Sequence, residues 1–195
     1  VQTLAEQATV PTRETDDLFA ELQARLEPQI RRFVRRLLSG SAVESAEDDI
    51  VQDVFISLYR NLHRIQPIEN IRPYTFGIAR KRCYTELRRQ RRSHTDSPSL
   101  EVFEMIPDAS VPHDEATHLL MLSLEVREAI DRLPELQRQT LILYTEEELS
   151  YVEIAQAMNT TVGTVKSRIH YAKRALRGLL KPATLDAIEG EFSHE

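Results

Sequence analysis

The chain has no tryptophan, only five glycines and a single cysteine in 195 residues. A lone thiol, Cys83, cannot close an intramolecular disulfide or build a thiolate zinc cluster, so it reads as a small, half-buried helix residue. The sparse glycines form no phosphate-cradling loop, which argues against nucleotide hydrolysis. Six histidines are scattered without H-x-x-x-H ligand spacing, and no nucleophile–base cluster stands out. Neither metal, cofactor nor enzymatic activity is therefore expected. No apolar run approaches the roughly 20 residues that span a bilayer, so membrane insertion is not expected. The leading VQTLAEQATVPTRETDD lacks the basic-then-apolar order of a secretion signal, and a cytoplasmic location is the default.

What remains is helical. Hydrophobic residues make up 41% and charged residues 29%, as in a soluble globular protein. Apolar positions recur at the 3.6-residue period, so the fold class is all-α, arranged as two small helical domains. Leu18, Leu22, Leu26, Ile30, Phe33, Val34 and Leu37 form one inward stripe, with Pro28 starting a second helix or kinking the first. Ser39-Gly40-Ser41 breaks it. Ser45 with Asp48 resembles the next helix start, followed by a stripe of Ile50, Val51, Val54, Phe55, Leu58 and Leu62. After a loop from His63 to Ile71, Pro73 suits the first turn of a third helix running to about Arg89. Phe76 and Ile78 are assigned to its core side.

These helices make a first domain over 15–92, preceded by a tail at 1–14. From Ser93 to Thr117 there are three prolines, six acids and no Lys or Arg, the composition of a solvated linker. A second domain follows over 118–181. It holds a helix to Asp131, a break at Leu133-Pro134 and a helix to about Glu147. Pro182 closes the last helix and leaves an acidic tail, 182–195.

SYVEIAQAMNTTVGTVKSRIHYAKRALR, Ser150 to Arg177, is the most informative stretch. Ser150 and Glu153 have capping-box spacing. Ile154, Ala155 and Met158 give a short helix one buried stripe, and Asn159 tolerates the positive φ needed to turn the chain. Thr161 caps the next helix, whose Val165, Ile169, Ala172 and Leu176 face inward. This is a helix-turn-helix, a device that lays its second helix in a DNA major groove.

Charge supports that reading. Val162 to Lys181 carries six basic residues and no acid, and Arg80 to Arg92 carries seven basic residues and one acid. Two segments of +6 inside a chain of net −6 leave −18 on everything else. Concentrated positive patches on an acidic body direct where a polyanion docks.

With GTVKSR at Gly163 to Arg168 preceded by LSYVEIAQAM, DIVQDVF at Asp49 to Phe55, RPYTFGIARKRCYTELRR at Arg72 to Arg89, and Leu133-Pro134 followed by RQTLIL, the chain resembles the bacterial extracytoplasmic-function sigma factors. The likeness covers about Asp16 to Leu180, in family order. It implies a protein that binds core RNA polymerase and directs it to promoters. The first domain would read and help open the minus-ten element, and the second would read the minus-thirty-five element as duplex. An anti-sigma factor is a further implied partner.

The resemblance also implies site residues. On the last helix, Lys166, Ser167, His170, Tyr171 and Arg174 face the groove, where Lys donates to guanine and the shorter side chains hydrogen-bond or touch a thymine methyl. Thr161 and Thr164 flank amides suited to phosphate. Arg168 and Arg177 are phosphate or acidic-side-chain partners. Tyr171 stands where the family commonly has arginine. In the first domain, the loop from Asn61 to Asn70 is the candidate base-capturing element, with Arg72, Tyr74 and Lys81 beside it. Arg80, Lys81 and Arg88 neutralise phosphates near the strand fork. Asp48, Asp49, Gln52 and Asp53 form the expected polymerase contact, although acids in a first helical turn also favour the helix dipole. A dimeric helix-turn-helix regulator without sigma activity is the alternative. It would explain Ser150 to Lys181 but not the RPYTFGIARKR helix.

Overall fold

A computed structural model describes residues 13–39, 41, 43–93 and 115–192. Eight α-helices and no strand occur among them. The chain divides into two units, Val1–Arg88 and Arg89–Glu195.

In the first unit, α1 (Arg13–Leu38) buries Leu22, Leu26, Ile30, Phe33, Val34 and Leu37, while Leu18 is half-buried. Pro28 lies inside α1 and does not start a new helix. Pro28 and Ala24 are both exposed, so the carbonyl that loses its amide partner faces water, and the buried stripe continues in register on either side.

The α2 helix (Glu47–Asn61) buries Ile50, Val51, Val54, Phe55 and Leu58 against α1. Its start differs from the expected Ser45 cap. Ser45 sits in a 3-10 turn, Glu44–Ala46, and the N-cap is Ala46 with no side-chain hydrogen bond. The acids of the first turn are used across the helix pair instead. Glu47 accepts from Arg35 at 2.8 and 2.9 Å and from Arg31 at 3.3 Å, and Asp48 accepts from Arg31.

Two further 3-10 turns, Leu62–Arg64 and Ile68–Asn70, occupy the connection to α3 (Ile71–Ser93). Pro73 falls in the first turn of α3. Phe76, Ala79 and Cys83 are fully buried, and the Phe76 ring meets Phe33 edge-to-face at 5.2 Å. Cys83 is thus a core residue rather than a half-buried one, and Ile78 is half-buried.

The second unit comprises α4 (Glu115–Asp131), α5 (Glu135–Thr145), α6 (Tyr151–Ala157), α7 (Val162–Leu179) and α8 (Pro182–Phe192). Pro134 is the N-cap of α5, and its carbonyl accepts from the amides of Gln137 and Arg138 at 2.9 Å. The α5 helix ends at Thr145, and Glu148 turns the chain with φ of 52°. Leu141, Ile142, Leu143, Leu149, Ile154, Val165, Ile169 and Ala172 form the core, with α7 packed on α5 and α6.

Residues 182–195 are not simply a tail, because α8 begins at Pro182. Proline is well placed at a first helical position, where its missing amide costs nothing. The α4 helix likewise begins at Glu115, within the segment read as linker. Residues 1–12, 94–114 and 193–195, which hold most of the expected N-terminal tail and linker, lie outside the described residues.

Candidate DNA-binding and polymerase-binding faces

The turn between α6 and α7 follows from local chemistry. The Ser150 hydroxyl accepts from the Glu153 amide at 3.3 Å, while the Glu153 carboxylate accepts from the Ser150 amide at 2.9 Å. Asn159 adopts φ of 48°, and the Thr161 hydroxyl accepts from the Thr164 amide at 3.1 Å. A β-carbon added at Gly163 would meet only the Thr161 hydroxyl, at 3.8 Å. Nothing inside the protein therefore needs a bare backbone there.

Burial of Val165, Ile169 and Ala172 fixes the rotation of α7. Lys166, Ser167, His170, Tyr171, Arg174 and Arg177 consequently face solvent, as does Thr161, while Thr164 is half-buried. Tyr171 is 56% exposed, with its ring edge-to-face with His170 at 5.6 Å. Ser167 donates to the Gly163 carbonyl at 3.0 Å. Arg168 differs from these: it is half-buried and its guanidinium lies 3.9 Å from the Met158 sulfur, directed toward the preceding helix. Three residues outside the expected set reach the same face. Tyr144 and Tyr151 stack on each other, and Lys166 and Lys173 lie over their rings. The seven-residue spacing of the two lysines was a usable sequence signal, whereas the tyrosine pairing was not.

In the first unit, Tyr74, Lys81 and Arg88 are seven residues apart on α3 and share one side of the helix. Lys81 and Arg88 are exposed, and Tyr74 and Arg80 are half-buried. Arg72 is tied inward: its Nε donates to Gln29 at 3.4 Å, and its guanidinium sits 5.7 Å from the Phe76 ring centre. Asn61 and Asn70 each donate a side-chain amide to a carbonyl four residues back, Ser57 at 2.8 Å and Gln66 at 3.0 Å. Those bonds hold the two ends of the connecting loop.

The acidic face of α2 is less uniform than its sequence. Asp48 and then Glu27 hold the Arg31 guanidinium above its ordinary range, and the Arg35 hydrogen bond holds the Glu47 carboxyl below its own. Asp53 pairs with Arg82 of α3 at 3.4 Å. Asp49 and Gln52 point to solvent beside Ile56, which is 40% exposed. Gln52 and Ile56 border a groove of about 750 Å³ between α1 and α2, floored by Phe19, Val51, Phe55 and Tyr59. An exposed carboxylate beside an apolar groove suits a partner helix that presents both a basic and an apolar side chain.

No helix among the described residues is long and apolar enough to cross a membrane. Residues 22–93 match the family described as sigma-70 region 2, and residues 123–176 match sigma-70, region 4. The chain is 33% identical to the extracytoplasmic-function sigma factor EcfG of Rhodopseudomonas palustris (strain TIE-1), over 85% of this chain and 86% of the relative. It is 29% identical to SigW of Bacillus subtilis (strain 168), over 85% and 90%. The sigma factor RpoE of Bartonella quintana, solved with the anti-sigma factor NepR, shares the fold with a TM-score of 0.64 at 24% identity, covering 85% of this chain and 98% of that one. With both sigma-70 regions in order and 33% identity to EcfG over an alignment that covers 85% of this chain and 86% of the relative, the protein belongs to the extracytoplasmic-function RNA polymerase sigma factors.

Proposed function

We propose that this sigma factor divides promoter recognition between its two units. Membership of the family supplies the function itself, which is to bind core RNA polymerase and direct promoter-specific initiation. The family consists of initiation factors rather than enzymes. A dimeric regulator is not favoured, because it leaves the region 2 match unexplained.

In the proposed division, the domain at 118–181 reads the minus-thirty-five element as duplex through α7. Lys166, Ser167, His170, Tyr171 and Arg174 face base edges, and Thr161, Thr164 and Arg177 meet phosphate. The inward tilt of Arg168 suits it to brace α6 against α7. The domain at 15–92 takes the minus-ten element, with Tyr74 and Lys81 beside the loop from Asn61 to Asn70. Arg80 and Arg88 answer the strand fork. Arg72 holds α1 to α3 and so steadies the start of the reading helix.

Asp49, Gln52 and Asp53, with the apolar groove next to them, form the polymerase contact. Asp48 contributes through Arg31 by fixing the α1–α2 pair. An anti-sigma factor, by analogy with the one bound to the Bartonella quintana protein, covers these faces, and the protein works in the cytoplasm.

The single observation carrying this reading is the outward face of α7, which is exposed, positive and free of acids from Val162 to Lys181. Adding the protein to core polymerase should give specific initiation on its own promoters. Lys166→Ala with Arg174→Ala should lower recognition of the upstream element at least tenfold, at about 1–3 kcal/mol per base contact. Unchanged initiation by that double variant would remove α7 from the role.

A further inference from the structure

Tyr144, near the end of α5, and Tyr151, the first residue of α6, stack with ring centroids 5.3 Å apart and planes 16° from parallel. Both rings are half-buried. The Nζ of Lys166 lies 5.7 Å from the Tyr151 centroid, and the Nζ of Lys173 lies 5.7 Å from that of Tyr144. Each distance falls within the roughly 6 Å over which a ring face attracts an ammonium. The two lysines are seven residues apart, so their backbones are separated by about 10.5 Å along α7 and lie on nearly one side.

The choice of partner matters for a helix that must meet a polyanion. A carboxylate would hold a lysine in place but cancel its charge, as Asp48 does for Arg31 at the other end of the chain. An aromatic face orients the ammonium and leaves the full positive charge pointing outward. It also removes part of the rotamer freedom that a long side chain loses on meeting phosphate. A hydrogen bond with Tyr144, then partial burial, hold the Tyr151 phenol above its usual range, so the ring stays neutral.

We propose that Tyr144 and Tyr151 are positioning residues for DNA binding: their stack holds Lys166 and Lys173 extended along the exposed side of α7 and adds Lys173 to the phosphate-binding set. This rests on α7 being the duplex-reading helix.

The test uses the full chain assembled with core polymerase, which first selects duplexes from a randomised pool. If no upstream consensus emerges, the reading of α7 fails without any bearing on the tyrosines. On the selected duplex, Tyr144→Leu with Tyr151→Leu should weaken binding roughly tenfold, since two ring–ammonium contacts are lost. Tyr144→Phe with Tyr151→Phe should stay within about twofold of the native protein, because both ring faces persist. In a Lys166→Ala, Lys173→Ala background the leucine pair should change nothing further, which is the signature of action through the lysines. Lys173→Ala alone, which leaves the core untouched, should weaken binding about three- to fivefold. The proposal is overturned if Lys173→Ala binds normally, or if the leucine pair costs the same factor without the lysines. It is equally overturned if the phenylalanine pair binds as poorly as the leucine pair, since the hydroxyls, through their mutual hydrogen bond or by touching DNA, would then matter rather than the ring faces.

Discussion

The carboxylate of Glu125, on α4, accepts a hydrogen bond from the backbone N–H of Lys181 at 2.8 Å, 56 residues further along the chain. Its second oxygen accepts from the Thr184 hydroxyl at 3.1 Å, and the Lys181 ammonium lies 3.5 Å away. One side chain thus closes the N-terminus of α8 from a distant helix.

That contact predicts a pH-dependent anchor. The Lys181 amide above all holds the Glu125 carboxyl below its ordinary range. A depressed carboxylate contributes stability above the unfolded-chain value and loses it as pH falls through the folded one. Glu125→Gln should therefore lower the melting temperature by a few degrees near neutral pH, for a cap of about 1 kcal/mol. The gap should narrow as pH falls through the folded value of the Glu125 carboxyl, and once that carboxyl is protonated the two proteins should melt together. Equal melting at neutral pH would show that Glu125 does not anchor α8.

Asp49 and Asp53 test the polymerase face. Asp49 faces solvent and Asp53 makes only a half-exposed pair with Arg82, so losing both should cost the fold less than about 1 kcal/mol. Asp49→Ala with Asp53→Ala should nonetheless weaken competition for core polymerase about tenfold, or ~1.4 kcal/mol. Normal competition would place the docking surface elsewhere.

Gly163 separates folding from binding. Its added β-carbon would find room inside the protein, and alanine is favoured over glycine in a helix by up to about 1 kcal/mol. Gly163→Ala should thus melt at or above the native temperature. It should also bind the upstream duplex more weakly, because a phosphate approaching the first amides of α7 meets the new methyl. Undiminished binding would mean that DNA does not approach the backbone at this turn.

Phe76 probes the first unit. It is fully buried against Phe33, and truncating such a ring costs about 3–5 kcal/mol. Phe76→Ala should shift the denaturant midpoint of that unit sharply downward. A shift below about 1 kcal/mol would mean that the two rings are not its centre.

Several features were legible because their causes lie within four residues. The capping box at Ser150 and Glu153, the turn at Asn159 and the cap at Thr161 each need only local spacing and a side chain of the right length. Ser45 misled for a related reason. Its spacing to Asp48 suits a cap, yet Arg31 and Arg35 on α1 draw the neighbouring acids away, and no short-range rule registers a competitor a dozen or more residues off.

Composition and periodicity alone settled that the chain is helical, which side of α1, α2 and α7 turns inward, and where positive charge collects, because each depends on the order of residues along one helix. The roles of individual charged side chains waited on packing. Arg72 reaches Gln29, Glu125 closes α8, and Tyr144 meets Tyr151 beneath two lysines. Those pairings join separate helices, and the position of one helix on another is set by the whole core rather than by any local pattern.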